Sequence, residues 1–147
     1  MGKKGAAPGP EKALALDPRE GDQISFEFDV NLAQAVLKGN ANHVEAMQVL
    51  GHALTKLARH LEALSVDRRI TLLRPDDEIA FYNLACSHSN VGNIDEALSA
   101  LERAIALGYV DAEFIQKDTD LENLRKDPRF LQLLHELHRR RKLGTAH

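Results

Sequence analysis

The sequence predicts an all-α fold, a solenoid of antiparallel helix pairs, on three observations. Residues 44–77 laid over 78–111 repeat with a register of 34, and nine pairs are identical, among them the run Glu62-Ala63-Leu64-Ser65 over Glu96-Ala97-Leu98-Ser99. Within each copy the apolar residues recur at i, i+3, i+4 and i+7 in two bursts, the pattern of two amphipathic helices. Ala and Leu dominate a 44% hydrophobic fraction with 5% aromatic residues and no Trp, too few aromatic side chains for a β-sandwich. A chain of 147 residues is the length of one domain and takes about two-thirds of its unfolded surface out of water.

Residues 1–10 hold three Gly, two Pro and two Lys and read as a disordered tail; the signal stays weak to residue 23. Glu11 to Leu16 makes at most two helical turns before Asp17-Pro18 stops them, and Gly21 ends regular structure. A first helix then spans about 25–38, its stripe being Phe28, Leu32, Ala35 and Val36, and stops at Gly39-Asn40. Helix pairs follow over 44–73 and 78–107, turning at Leu57-Ala58-Arg59 and Val91-Gly92-Asn93. Gly92 suits the left-handed residue that closes a helix, Asp95 favours the start of the next, and Pro75 ends the earlier pair.

A degenerate third unit covers 112–142. Asp111 to Gln116 fits one or two turns, Asp118-Thr119-Asp120 interrupts the apolar rhythm, and Leu121 and Leu124 return out of phase. Asp127-Pro128 opens a last helix, about 128–141, whose stripe is Phe130, Leu133, Leu134 and Leu137. Residues 143–147 read as a disordered end, so the folded domain is expected over 24–142. The expected core is Met47, Leu50, Leu54, Ala63, Ile70, Leu73, Phe81, Leu84, Ala97, Leu101, Ala104, Leu107, Phe130 and Leu134.

The substitutions between copies keep size: Met47 pairs with Phe81, Gly51 with Ala85, Ala63 with Ala97. Small residues at these places let two helices approach closely. With Leu50-Gly51, Ala63 and Pro75 in one copy, and Phe81, Leu84-Ala85, Gly92, Asp95, Ala97 and Ala104 in the next, residues 44–111 resemble the tetratricopeptide repeat. The closing wording DLENLRKDPRFLQLL resembles that of some bacterial members. Tyr109 stands where Pro75 stood one period earlier, and Ala58 replaces the glycine seen at Gly92; neither change forbids the hairpin. The resemblance implies a right-handed superhelix with capping helices of polar outer face at both ends.

The formal charge of −3 is uneven. Residues 1–12 carry +2 and Arg139 to Lys142 carry +4, which leaves the stretch between them at −9. A nucleic-acid-associated helical repeat would have to use those basic ends, and no aromatic residue interleaves the C-terminal run for stacking; the helix dipole also explains cations there. A single Cys86 forms no internal disulfide, no Cys/His cluster has zinc-finger spacing, and no apolar run reaches a membrane span. Ala6 stands where an N-myristoylation signal wants Ser or Thr. The expectation is therefore a cytoplasmic protein with no membrane anchor.

No nucleophile elbow, phosphate loop or paired acid after a strand is present, so a non-catalytic protein without cofactor or metal is expected. His135 and His138 share a helical face beside four cations, which disfavours a metal there, and Cys86 reads as a buried inert thiol.

What remains is a surface for another protein or peptide, with homo-oligomerisation left open. The resemblance implies that the first helix of each repeat lines a concave groove. That brings Gln48, His52, Thr55 and Lys56 beside Tyr82, Asn83, Cys86, Ser89 and Asn90. Tyr82 is expected as an exposed anchor contributing little to folding, since Phe81 takes the packing position equivalent to Met47. Relatives that clamp a chaperone's terminal carboxylate need Lys, Asn and a further basic residue where Gln48, His52 and Glu113 stand, although Asn83 and Lys117 match; Gln48 and Glu113 in place of fixed cations disfavour binding of a chaperone tail. Circular dichroism is expected to show helix and no substantial strand. Leu84→Ala is expected to lower stability by roughly 2–5 kcal/mol in urea unfolding; a loss below about 0.5 kcal/mol would displace the register.

Overall fold

The computed structural model describes residues 17–145. The expected tail over 1–16, and residues 146 and 147 of the expected disordered end, lie outside the described residues. The described part is all-α: α1 (Pro18–Gly39), α2 (Val44–Lys56), α3 (His60–Leu73), α4 (Glu78–Asn90), α5 (Ile94–Ala106), α6 (Ala112–Lys117), a 3-10 turn (Thr119–Leu121), α7 (Glu122–Arg125) and α8 (Pro128–Thr145). Each of α1 to α4 packs on its successor, the arrangement of a solenoid. Both helix pairs lie where the 34-residue repeat puts them.

The hairpin turns share one device. Ala58 and Gly92 sit at φ +57° and +83°, and the next residue's amide reaches back to a helix carbonyl, Arg59 to Leu54 at 2.8 Å and Asn93 to His88 at 2.9 Å. Gly108, at φ +117°, closes α5 the same way, with Tyr109 donating to Ala104. This left-handed closure satisfies carbonyls that a helix end would otherwise leave unpaired. Asp77 caps α4 by accepting from the amides of Ile79 and Ala80, and His43 Nδ1 caps α2 by accepting from Ala46.

Alanines at Ala53, Ala63, Ala85, Ala97 and Ala104 are fully buried between the helices, with Leu54, Leu101, Ile115, Leu121, Leu124 and Phe130 filling the space between layers. Gly51 marks the tightest approach, since a Cβ there would stand 2.9 Å from the Asp67 carboxylate on α3. Leu73, Phe81 and Leu107 are only half-buried, a correction to the expected core. Phe81 lies at the edge, with the Arg103 guanidinium 5.8 Å from its ring centroid.

The first helix differs from expectation at its start and on its buried face. It begins at Pro18, not about 25, because Asp17 caps it by accepting from the Arg19 amide, and proline lacks only an N–H that the first turn leaves unbonded anyway. Asp-Pro starts this helix, and Gly21 lies within it; the helical turns expected over Glu11 to Leu16 lie outside the described residues. The expected stripe faces outward: Phe28 is 64% exposed, and Leu32, Ala35 and Val36 are exposed with it. Val30 and Ala33, flanked by Phe26 and Leu37, pack instead against Leu50, Ala53 and Leu54. The helix carries two apolar stripes, and the smaller one allows the close approach. The outer face of this end is therefore apolar along that stripe, not polar as expected of a cap.

At the other end α8 continues to Thr145, so residues 143–145 are helical and not part of a disordered end. Phe130, Leu134 and Leu137 bury its inner face against the core of the second repeat. The left-handed Ala58 is the one non-glycine residue with positive φ among the described residues. Replacing Ala58 by Gly removes a steric cost of roughly 1–2 kcal/mol, partly offset by backbone entropy. Ala58→Gly is expected to raise stability by about 0.5–1 kcal/mol and Gly92→Ala to lower it by a similar amount, both read from denaturant midpoints.

Candidate functional site

The inner helices α2 and α4, with the segment after α6 closing one end, enclose a concave cavity of about 290 Å³. Seven of the nine residues expected in the groove line it: Gln48, His52, Thr55, Lys56, Tyr82, Asn83 and Cys86. Gln48, His52 and Asn83 are exposed there and Lys56 stands at its rim, spaced along the two helices so that their side chains present polar groups on a rigid frame.

Tyr82 corrects the expectation most sharply. It is 4% exposed, its ring stacked on Tyr109 at 4.3 Å between centroids and 5° between planes, and its hydroxyl donates to Asp118 Oδ2 at 2.6 Å. The neighbouring Phe81 takes the edge instead. The third unit folds over α4, so a side chain that two repeats alone would leave in a groove becomes part of an interface. Ser89 is likewise not a groove residue: it is fully buried, its Oγ accepting from the Leu124 amide at 3.2 Å and its carbonyl from Asn123 Nδ2 at 3.0 Å. Asn90 is half-buried and donates to Asp120 Oδ1 at 3.3 Å.

Sequence reasoning missed the acids that line the cavity, Asp67, Asp118 and Asp120. Their signals were legible: Asp67 stands where the second copy has Leu101, a charge in a core position, and Asp118-Thr119-Asp120 broke the apolar rhythm. Asp118 Oδ1 accepts from the Asp120 amide, Cys86 Sγ lies 3.8 Å from Oδ2, and the Arg125 guanidinium donates to the Asp118 carbonyl at 2.7 Å. Asp67 Oδ2 accepts from the Ser87 hydroxyl across the α3–α4 interface.

Burial pushes the Asp67 carboxyl up to about 6, tempered by the Ser87 bond. Burial raises the Cys86 thiol well above its ordinary value, and the charges of Asp118, Asp120 and Asp67 add to this, so it stays protonated. Tyr82 is raised by burial first, then by Cys86 and Asp118; Tyr109 is pushed up to about 12 by burial and Asp111. Cys86 Sγ and oxygens of Asp118 and Asp120 lie within 4.8 Å of one another, a group able in principle to ligate a metal. The same atoms already form a hydrogen-bonded cluster, in which both Asp118 oxygens accept and the Cys86 thiol lies beside Oδ2. His135 and His138 lie on α8, where Arg140 of the basic run pairs with Glu136 at 2.7 Å.

Comparison with known proteins agrees with the repeat. Residues 79–107 match the family described as tetratricopeptide repeat. The chain is 37% identical over 131 residues to a chloroplastic protein of Arabidopsis thaliana, covering 86% of this chain and 39% of that protein. It is 36% identical over 94 residues to a peroxisomal targeting signal receptor of Candida glabrata, covering 64% of this chain and 16% of the relative. The chain thus spans about two-fifths or less of these relatives. Among solved structures it is similar to MamA 41-end from Desulfovibrio magneticus RS-1, with a TM-score of 0.63, 20% identity, and coverage of 81% of this chain and 70% of that one. The expected cytoplasmic location is corrected by the chloroplastic relative: a lone cysteine and the lack of an apolar span describe many compartments and select none. Among the described residues no helix is long and apolar enough to cross a membrane.

The cavity's chemistry sets the stability of its walls. Tyr82→Ala is expected to cost about 3–5 kcal/mol and Tyr82→Phe about 1–3 kcal/mol in chemical denaturation, the second value reporting a hydrogen bond to a charged acceptor. Asp67 holds its proton to higher pH when folded than its unfolded value of 3.8 allows, so its contribution is full below about pH 4 and is lost as pH rises through 6. His88, lowered by burial and Arg68, works in the opposite sense in the same window. The difference between wild type and Asp67→Asn isolates the aspartate: their stability gap is expected to change by about 2–3 kcal/mol between pH 4 and pH 7, in favour of the variant at pH 7.

Proposed function

Because this chain belongs to the tetratricopeptide-repeat family, we propose that it is a non-catalytic interaction module that captures a segment of another protein on its concave face. The observation that carries this reading is the cavity between α2 and α4, where Gln48, His52, Lys56 and Asn83 present polar groups on helices held rigid by a close-packed core. A preorganised surface loses little entropy on binding, and polar side chains at fixed helical spacing can bond the backbone of an extended peptide. The peroxisomal receptors among its relatives are named for a targeting signal, and they support a receptor-like use of this face.

The carboxylate clamp disfavoured by the sequence is opposed a second time by the acids of the cavity, which would repel a terminal carboxylate. The test uses the full chain as bait in an extract of the source organism, beside Gln48→Ala/Asn83→Ala. These side chains are exposed and no core residue is altered. The double variant is expected to weaken a captured partner by at least about 1 kcal/mol, roughly fivefold, with the melting temperature unchanged. A partner held equally by both, or mapped by cross-linking to α8, would displace the site from the concave face.

A further inference from the structure

The outer face of α1 carries an apolar stripe that the repeat does not account for. Ile24, Phe28, Leu32 and Val36 stand exposed on it, away from the face on which Val30 and Ala33 pack against α2. Leu32 and Val36 stand one repeat before Val66 and Ile70 and two before Ala100 and Ala104, which the inner copies bury wholly or in part. Phe28 stands where those copies carry Glu62 and Glu96, acids that face water. The helix also runs 22 residues, against 14 in α3 and 13 in α5, and the added turns supply Ile24. Continuation of the helix stack thus explains the second half of the stripe and not the first. A run of large apolar side chains facing water where the repeat has acids marks a surface that another surface covers.

The stripe matches itself in reverse. Gly21, Ile24, Ser25 and Phe28 mirror Gly39, Val36, Ala35 and Leu32 in size about position 30, and at helical spacing all eight fall within an arc of about 120°. An antiparallel second copy sets Phe28 beside Leu32, seats Ile24 over Ala35 and Val36 over Ser25, and brings Gly21 to Gly39. Large side chains of one helix then enter the gaps that small ones leave on the other, and each contact occurs twice. Charge chooses the direction. Glu20 in the first turn and Lys38 in the last lie on one flank of the stripe, both exposed. Antiparallel pairing brings Glu20 of each copy beside Lys38 of the other, and each helix's positive end beside the other's negative end; parallel pairing opposes like charges. Asp29, on the other flank, nears its own copy, a like-charge contact that keeps the association weak. We propose that α1 is a self-association surface through which two copies of this chain form an antiparallel, two-fold symmetric dimer.

Sedimentation equilibrium of the full chain over about 1–300 µM is expected to show the mass rising from 16.3 kDa toward twice that, with a dissociation constant of about 10–100 µM, since two crossed helices bury a small interface. Phe28→Glu is expected to weaken the dimer at least about thirtyfold by placing a charge in the apolar contact. Its helical signal and unfolding midpoint at the lowest concentration stay unchanged, because Phe28 is exposed in the single chain. Ser25→Cys and Ala35→Cys chains oxidised by glutathione disulfide are expected to cross-link when mixed and not singly, since two copies of either position lie about 15 Å apart along the helix axis. Cys86 is buried and does not compete. Cross-linking of the Ser25→Cys chain alone would overturn the antiparallel pairing. A monomer at every concentration would overturn the dimer, and a loss of stability in its Phe28→Glu variant would give the stripe to the chain's own residues 1–16. A dimer indifferent to Phe28→Glu would move the contact off α1, and masses beyond the dimer would replace the two-fold contact with a head-to-tail one.

Discussion

Asp118 holds the end of this molecule together. Its two oxygens and its carbonyl take donors from Tyr82, the Asp120 amide and Arg125, with the Cys86 thiol beside them, and these groups come from the second repeat and from both sides of the break in the third unit. A carboxylate gains more from such donors than a neutral group does, and in a half-buried place water competes less. Around that point the chain abandons its regular hairpin. A six-residue helix, a 3-10 turn and a four-residue helix bring Ile115, Leu121 and Leu124 to full burial against α4 and α5. The aspartate that interrupts the apolar rhythm is what permits the third unit to close over the second.

The same closure makes the concave surface a cavity. Two repeats alone would present α2 and α4 as an open face; the segment 118–120 walls one end of it and adds two acids. The third acid has a different origin. Asp67 occupies a position that is Leu101 in the second copy, and the helix opposite it carries Gly51 because any Cβ would press on its carboxylate. Copy one therefore trades a packed leucine for a buried acid and removes a methyl group to fit it, a local departure from good packing of the kind that functional surfaces show.

The two ends of the solenoid are finished differently. At the C-terminal end α8 buries Phe130, Leu134 and Leu137 and turns Arg140 outward, where it pairs with Glu136. At the N-terminal end α1 buries its small stripe and leaves Ile24, Phe28, Leu32 and Val36 exposed. Helical periodicity describes both stripes of α1 equally well, and the helix that receives them decides which is inside.

Local rules were enough for much of this fold. The 34-residue repeat located α2 to α5 to within a residue or two, because burial at i, i+3, i+4 and i+7 and a left-handed turn residue are properties of short stretches, legible in Gly92 and tolerated in Ala58. Helical spacing likewise placed Gln48, His52, Thr55, Lys56, Asn83 and Cys86 on the face that lines the cavity. Tertiary structure decided what spacing leaves open: that Asp17-Pro18 begins a helix, that Phe28 faces water, that Tyr82 goes inside while Phe81 stays at the edge, and that Ser89 belongs to the core. The burial of Tyr82 and Ser89 depends on partners far away in the chain, 36 residues from Tyr82 to Asp118 and 35 from Ser89 to Leu124, and no periodicity records which surface will arrive to cover a face.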